Sequence, residues 1–397
     1  MIDRDQQPSL QHIAVIGGGP VGLATAIALA ASGASVTLVA RRVPYSDNRT
    51  TALLGASVDF LDRIGVWQGC ADQAAALQVM RLVDDTGRLI RAPEVRFSSD
   101  EIGRDAFGYN IENRVLLEAL EQRAGECESL TRIDDDAASV IPDDAGIEIE
   151  TKSGQTFRAQ LVVGADGRNS LCREAAGIAV ERRELRQTAL TFNVTHTRPH
   201  RNTSTEFHTP HGPCVFVPLP GERSSVVWVS RPDEAVHLHA LDDAALGLAA
   251  ERQSHSMLGA MRVDGARFMF PLSIEKPAQL AAKRIVLAGE SAHVLPPIGA
   301  QGLNMGLRDA ADLAEIVTET LVLGGDPGSE NVLTSYARSR KPDITSRTFA
   351  IDLANRSLLS DLLPLQPVRA LGLHLINAIG PLRRLAMREG LAPSWRR

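Results

Sequence analysis

The chain is short of cysteine, of basic blocks and of long apolar runs, and each shortage excludes something. Four cysteines among 397 residues, Cys70, Cys127, Cys172 and Cys214, form neither a CxxC pair nor a disulfide framework. A reducing cytoplasm is the expected setting. No apolar run reaches the roughly 18 residues that a membrane-crossing helix needs, and the opening MIDRDQQPSLQH lacks the charged-then-apolar layout of a signal peptide. The expectation is a cytoplasmic protein, soluble or peripheral on the inner face of the membrane. With a pI near 6.0 and a net charge of -6, nothing resembles the footprint of a nucleic-acid binder. Histidines pair at His196/His200, His208/His211 and His237/His239, but there is no HExxH, and Pro199 and Pro210 oppose a helix that would present the first two pairs. No metal site is expected.

What is present is a chain with 44% hydrophobic residues, enough for one large or two intimate domains. His12 to Ile16 reads as a buried strand, followed by Gly17-Gly18-Gly19-Pro20-Val21-Gly22 and an Ala/Leu-rich helix. Strand, G-x-G-x-x-G and helix together point to a dinucleotide. Gly17 makes the tight turn, Gly19 lets the backbone approach a pyrophosphate, and Gly22 allows close helix packing. The next strand, Ser35 to Ala40, ends in Ala40-Arg41-Arg42 where an acid for the ribose hydroxyls is expected. The two arginines read either as a seat for an NADP 2′-phosphate or as solvated charges.

Two further segments carry chemistry. The run Ala159 to Val163 delivers Gly164-Ala165-Asp166-Gly167-Arg168-Asn169-Ser170, where an Asp organises a turn beside a bound dinucleotide; alone, ADG is also an ordinary turn. The strand Arg284 to Ala288 leads into Gly289-Glu290-Ser291-Ala292-His293, then PPIGAQGLNMGLRDA. Here a carboxylate closes a strand, prolines stiffen a loop, and small residues open a helix whose free N–H groups favour negative charge. His293, a loop histidine, reads as structural, and no acid–base residue stands out as catalytic.

With these three segments in order, the chain resembles the class A FAD-dependent aromatic hydroxylases, from about His12 to Ala350. DNRTTALLGASVDFLDRIGVW, YNIENRVLLEAL and PPIGAQGLNMGLRD look closest to the ubiquinone-biosynthesis hydroxylases. The resemblance implies FAD, with Gly17, Gly19 and Gly22 at the pyrophosphate and Arg49 reaching the cofactor. It places Asn113 at the flavin side chain, Asp166 and Gly167 near the pyrophosphate, and Glu290 on a ribityl hydroxyl. Pro297, Gly299, Ala300, Gln301, Gly302, Leu303 and Asn304 would lie along the isoalloxazine ring. It also implies hydroxylation of an aromatic, polyprenylated quinone precursor through a flavin C4a-hydroperoxide. Electrons would come from NAD(P)H or a protein donor, since no second complete GxGxxG is present. A small soluble aromatic as substrate, and an isoprenoid reductase that consumes no dioxygen, are the alternatives. Ala40 and Glu290, the latter in place of the commoner Asp, depart from the pattern.

The expected fold is α/β: a Rossmann-like FAD-binding domain, a second β-sheet domain for substrate, and a C-terminal helical region. The FAD-binding part is assigned 1–75, 102–182 and 278–330, the substrate sheet 76–101 and 183–277, and the helical region 331–397. Strands of the second sheet are expected at Leu77 to Val83, Thr188 to His196, Cys214 to Val217, Ser224 to Ser230 and Arg267 to Leu272. Helices are expected at Leu241 to Met257 and Leu303 to Leu323. The tail mixes apolar residues with Arg369, Arg383, Arg384, Arg388, Arg396 and Arg397. It reads either as a helix on an anionic membrane, with peripheral or biosynthetic-complex contacts, or as a helix packed on the catalytic domain.

Overall fold

The computed structural model describes residues 12–42, 48–87, 93–359 and 380–391. At its centre, strand His12–Ile16 runs parallel to Ser35–Val39 on one side and Leu161–Gly164 on the other. Leu130–Ile133 extends the sheet beyond Ser35–Val39, and Ile285–Leu287 extends it beyond Leu161–Gly164, with Ala281–Ala282 antiparallel at that edge. Strand order thus reverses at the first strand, which is where doubly wound sheets open a crevice for a dinucleotide. The inner strands His12–Ile16, Ser35–Val39, Leu161–Gly164 and Ile285–Leu287 are largely buried on both faces, so they read as mostly apolar runs.

The helices are α1 (Pro20–Ala31), α2 (Gly55–Arg63), α3 (Asn113–Gly125), α4 (Leu171–Ala176), α5 (Pro232–Ala240), α6 (Asp243–Gln253), α7 (Gln301–Val322), α8 (Glu330–Leu359) and α9 (Gly380–Leu391). Every residue of α1 from Gly22 to Ala30 is buried, because α1 is enclosed by the sheet, α3 and α7. A helix so placed is apolar all round.

A seven-stranded sheet forms the second layer, in the order Met261–Pro277, Val180–His196, Arg223–Ser230, Gly212–Leu219, Thr203–Thr209, Val79–Asp84, Val95–Ser98. One face, carrying Phe192, Phe207, Phe216, Val226 and Trp228, is covered by Leu238 of α5 and Leu246 and Ala250 of α6. Its other face carries Val215, Val217, Ser225 and Val227 into a cavity shared with the start of α7. The fold class is the one the sequence predicts, with C-terminal helices in place. No described helix is long and apolar enough to cross a membrane.

Several element bounds differ from expectation. The strand expected at Thr188 begins at Val180, and the one expected at Arg267 to Leu272 spans Met261–Pro277. The added half, Val180 to Glu184, pairs with Ser273 to Pro277. It is densely charged, and its two arginines are matched from outside the strand, Arg182 by Glu275 and Arg183 by Asp352 of α8, so no apolar alternation marks it. The helix expected at Leu241 to Met257 is shorter: Asp242 caps it by accepting from the Ala245 N–H, and it ends before His255 and Ser256, both at positive φ. In the tail, α9 packs on the catalytic body through Met387, while Arg383 pairs with Glu101 at 2.6 Å and stacks on Phe97. For this stretch the packed reading holds; Arg369, Arg396 and Arg397 lie outside the described residues.

Helices α7 and α8 are joined by buried charges. Arg340 has no exposure and contacts Asp309 at 2.6 Å, Asp343 at 2.9 Å and Asp312 at 3.4 Å, and Arg308 meets Asp343 at 2.7 Å. Charges survive out of water only when counter-charges meet them, and stripping one partner from a buried pair costs about 3–5 kcal/mol. We therefore expect Arg340→Met to destabilise the protein by about 3 kcal/mol, read as a fall in the urea midpoint. Arg340→Lys keeps the charge but not the fork and should recover only part of the loss.

Candidate active site

The crevice beside the first strand is shaped by missing side chains. Gly17 sits at φ +117°, and a Cβ there would stand 2.2 Å from the Ala165 carbonyl oxygen. A Cβ on Gly22 would stand 2.0 Å from the Gly17 carbonyl oxygen. The turn, the DG segment and α1 close together only because both are glycine. Gly19, by contrast, is exposed with nothing within 4 Å of its Cβ position. The α1 N-terminus that it caps has no side-chain cap and no acidic residue in its first turn. Free N–H groups facing open space are what a bound anion uses.

Ala40 is buried, and its carbonyl accepts from Arg132 Nε at 3.0 Å. Arg41 pairs with Asp136 at 3.0 Å, and the Arg42 amide donates to the Asp134 carboxylate. Arg41 thus has a counter-charge of its own, which disfavours reading it as the seat of an extra phosphate.

In the DG segment, the Asp166 carboxylate accepts from the Ser170 hydroxyl at 2.6 Å and from the Cys172 amide at 3.0 Å, fixing the entry to α4. Gly167 follows at φ +80° with open space at its Cβ position. The arginine that ends GADGxxSxxR, to which the sequence assigns no role, explains why the second and third segments belong together. Arg173 is buried and donates to the Ser291 carbonyl at 3.1 Å and the Arg168 carbonyl at 2.7 Å.

The third segment hangs on Asp309. This fully buried carboxylate accepts from the Gly289 amide at 3.0 Å, sits 2.7 Å from His293 Nε2, and contacts Arg340. Burial alone would raise its pKa, but His293, Arg340 and the hydrogen bonds from His293 and Gly289 outweigh that and hold it at about 2. Gly289 turns at φ +68°, leaving Glu290 exposed at the rim of a cavity. The loop then passes Pro297 to Gly299 and Ala300, the last two at positive φ, before α7 begins without a side-chain cap or an early acid.

The cavity, about 730 Å³, lies between this loop and the open face of the seven-stranded sheet. Arg49, Glu290, Pro297, Gly299, Ala300, Gln301, Gly302 and Leu303 line its loop side, and Arg168, bonded to Ser273, joins them. Leu77, Met80, Leu82, Phe97, Phe107 and Met387 form an apolar end. Asn113 lines a smaller adjoining cavity of about 170 Å³ together with Arg49 and Pro297, and its side-chain oxygen accepts from Thr51 at 2.5 Å. Asn304 does not line either cavity. Fully buried, it accepts from the Leu54 amide and donates to the Ala52 and Ala300 carbonyls, bracing strand Thr50–Leu54 against α7. Arg168 and Glu206 are charged lining residues that sequence reasoning misses, although Arg168 stands inside the GADGxxSxxR motif. Among the described residues, no cluster of His, Cys, Asp or Glu could hold a metal ion.

Two uncapped helix starts, one facing the crevice and one at the cavity, suit an extended ligand with an anionic middle and a ring that gains negative charge. The residues present therefore fit a flavin dinucleotide. Similarity to known proteins agrees. A family profile described as FAD binding domain matches residues 11–348. The chain is 34% identical over 386 residues to the ubiquinone hydroxylase UbiL of Rhodospirillum rubrum, covering 96% of this chain and 89% of that protein. It is 31% identical to the 3-demethoxyubiquinol 3-hydroxylase of Escherichia coli, covering 96% and 98%. Among solved structures, p-nitrophenol 4-monooxygenase PnpA from Pseudomonas putida superposes with a TM-score of 0.79 at 21% identity, covering 96% and 98%, which is a likeness of fold.

Asp309 gives the site a pH signature. Its folded pKa, about 2, lies below the ordinary aspartate value of 3.8. The stability it contributes is therefore complete above about pH 4 and is lost as pH falls through about 2. We expect the wild type to lose more stability than Asp309→Asn on acidification from about pH 5 to about pH 2, measured as urea midpoints across that range. Parallel loss in the two proteins would contradict this assignment.

Proposed function

Since this chain belongs to the FAD binding domain family and is a flavin-dependent monooxygenase with FAD as its cofactor, we propose that it hydroxylates the aromatic ring of a polyprenylated ubiquinone precursor. Bound and reduced, FAD supplies the activation of dioxygen, and the protein's own part is to bind, orient and exclude water. Gly17, Gly19 and Gly22 hold the pyrophosphate at the start of α1, with Asp166 and Gly167 forming the adjoining wall. Arg49 and Asn113 reach the cofactor from the seam between the cavities, and Glu290 takes a ribityl hydroxyl. Pro297 and Gly299 to Leu303 lie along the isoalloxazine ring, where the α7 N–H groups favour its negative charge. Asn304 sets the position of that helix start. The electron donor is NAD(P)H bound transiently, or a protein donor.

The observation that carries the substrate reading is the apolar end of the cavity. Leu77, Met80, Leu82, Phe97, Phe107 and Met387 offer hydrocarbon contact well beyond what a small phenol uses, and they are continuous with the loop that faces the flavin. The names of the relatives in Rhodospirillum rubrum and Escherichia coli support the same reading. The protein binds and orients the ring while its tail fills the apolar end, and closing that end also keeps water from the reacting oxygen.

Burial of a methylene is worth about 0.8 kcal/mol, so one isoprene unit should raise kcat/KM at least about tenfold over the same phenol without a tail. Steady-state hydroxylation of the two phenols by the FAD-loaded protein tests this. Equal kcat/KM, or preference for the tail-less phenol, would favour a small soluble aromatic instead.

A further inference from the structure

We propose that Glu206, backed by His208, is the general base that takes the proton from the ring hydroxyl of the bound substrate in the same step as the ring is oxygenated. The inference rests on the reading of the substrate as a phenol and adds the group that activates it.

Strand Thr203–Thr209 alternates strictly. Thr205, Phe207 and Thr209 are buried, with Phe207 in the cluster under α5 and α6, whereas Ser204, Glu206 and His208 occupy the opposite face. Ser204 and Glu206 line the cavity beside Met80, Leu82, Val215 and Val217 of the two neighbouring strands. Among the described lining residues only Glu206 and Glu290 are carboxylates, and Glu290 stands on the flavin loop. Glu206 is therefore the acid on the substrate side.

Its side chain retains 18% exposure and that of His208 13%, and His208 Nε2 lies 3.0 Å from Glu206 Oε1. The other carboxylate oxygen has no hydrogen-bond partner among the described residues. A carboxylate on a mostly apolar wall is costly unless a donor meets it. The imidazole meets one oxygen and leaves the other for a ligand hydroxyl. The ionisable neighbours are otherwise engaged or distant in role. Arg81 on the adjacent strand is held by Glu94, Asp84 on that strand accepts from Thr86, and strand Gly212–Leu219 brings no charge. Across the cavity stand Arg49, Arg168 and Glu290.

The part Glu206 plays is a proton transfer. The O–H bond of the substrate breaks and an O–H bond forms on Glu206. As that proton leaves, a ring carbon would bond to one oxygen of the dioxygen that reduced FAD activates: the O–O bond breaks, the second oxygen leaves as water with the two electrons the flavin supplies, the ring C–H proton is lost as aromaticity is restored, and Glu206 returns its proton to the ring oxygen. A carboxylate within hydrogen-bond reach of the hydroxyl is suited to this role. His208 acts through Glu206 and is a positioning residue.

The test uses the full-length FAD-loaded protein with 2-prenylphenol as probe and its methyl ether as control. Glu206→Gln should slow hydroxylation of the phenol at least tenfold and remove the low-pH limb of the kcat profile, while binding the ether as tightly as wild type. Glu206→Asp should retain part of the rate, and His208→Gln, which still offers Glu206 a donor, should keep more of the rate than His208→Leu. Flavin content and melting temperature verify that each variant is folded, and Glu206→Asp decides the matter if Glu206→Gln is not. A rate and limb unchanged in Glu206→Gln would overturn the proposal. So would equal loss of affinity for phenol and ether, which would mark Glu206 as wall, or failure of the probe to bind. Binding of the phenol that Glu206→Gln weakens, with no hydroxylated product from wild type, would instead overturn the functional reading and leave the contact of Glu206 with the hydroxyl standing.

Discussion

Three charged or polar elements of this molecule converge on one carboxylate that water does not reach. Asp309 ties the Gly289 amide, the His293 ring and the Arg340 guanidinium together, so α7, α8 and the loop between Ile285–Leu287 and α7 assemble as one unit. The desolvation cost of such a cluster is met only when all partners are present. Its reward is geometric. Gly289 is pinned against Val21 of α1, Glu290 is turned outward, and the start of α7 is aimed into the cavity. The start of α1, proposed to meet the pyrophosphate, and the start of α7, proposed to meet the ring, are thereby fixed in one frame, with Arg173 adding the link from the DG segment.

The division of labour rests on that frame. The parallel sheet and its glycines make the space a dinucleotide needs, and hydroxylation chemistry comes with the cofactor. The seven-stranded sheet supplies the other wall. Its covered face is a conventional apolar core, while the described part of its open face that lines the cavity mixes hydrocarbon and hydroxyls with Arg81 and one acid, Glu206. On the proposed reading, specificity lies in that mixed face and in Met387 of α9, which packs at the apolar end. The same helix carries Arg383, whose contacts with Glu101 and Phe97 join the tail to the sheet edge.

Much of the fold and cofactor site can be read from the sequence, because local patterns encode them. The strand His12–Ile16 with its glycines, and the third segment from Gly289 onward, are short-range signals with direct steric causes. Long-range pairing leaves no such trace. Asp309 looks like one charged residue among several in an amphipathic helix, and nothing near it announces Arg340 on the next helix. Val180 to Glu184 hides its strand because its arginines are matched by Glu275 and Asp352, far along the chain. In the sequence, His208 stands out only by its closeness to His211, which raises the question of a metal. Strand periodicity instead sets it beside Glu206, two residues earlier, and that pairing appears only once the segment is known to be extended.

Central to the proposed function is the cavity beside the α7 start, as the place where an aromatic ring receives an oxygen atom from dioxygen activated by the bound flavin. Turnover of 2-prenylphenol under ¹⁸O₂ in ordinary water, followed by mass analysis of the product, tests it most directly. One ¹⁸O atom is expected in each newly hydroxylated ring. A hydroxyl oxygen drawn from water, or conversion of the substrate without dioxygen uptake, would contradict it.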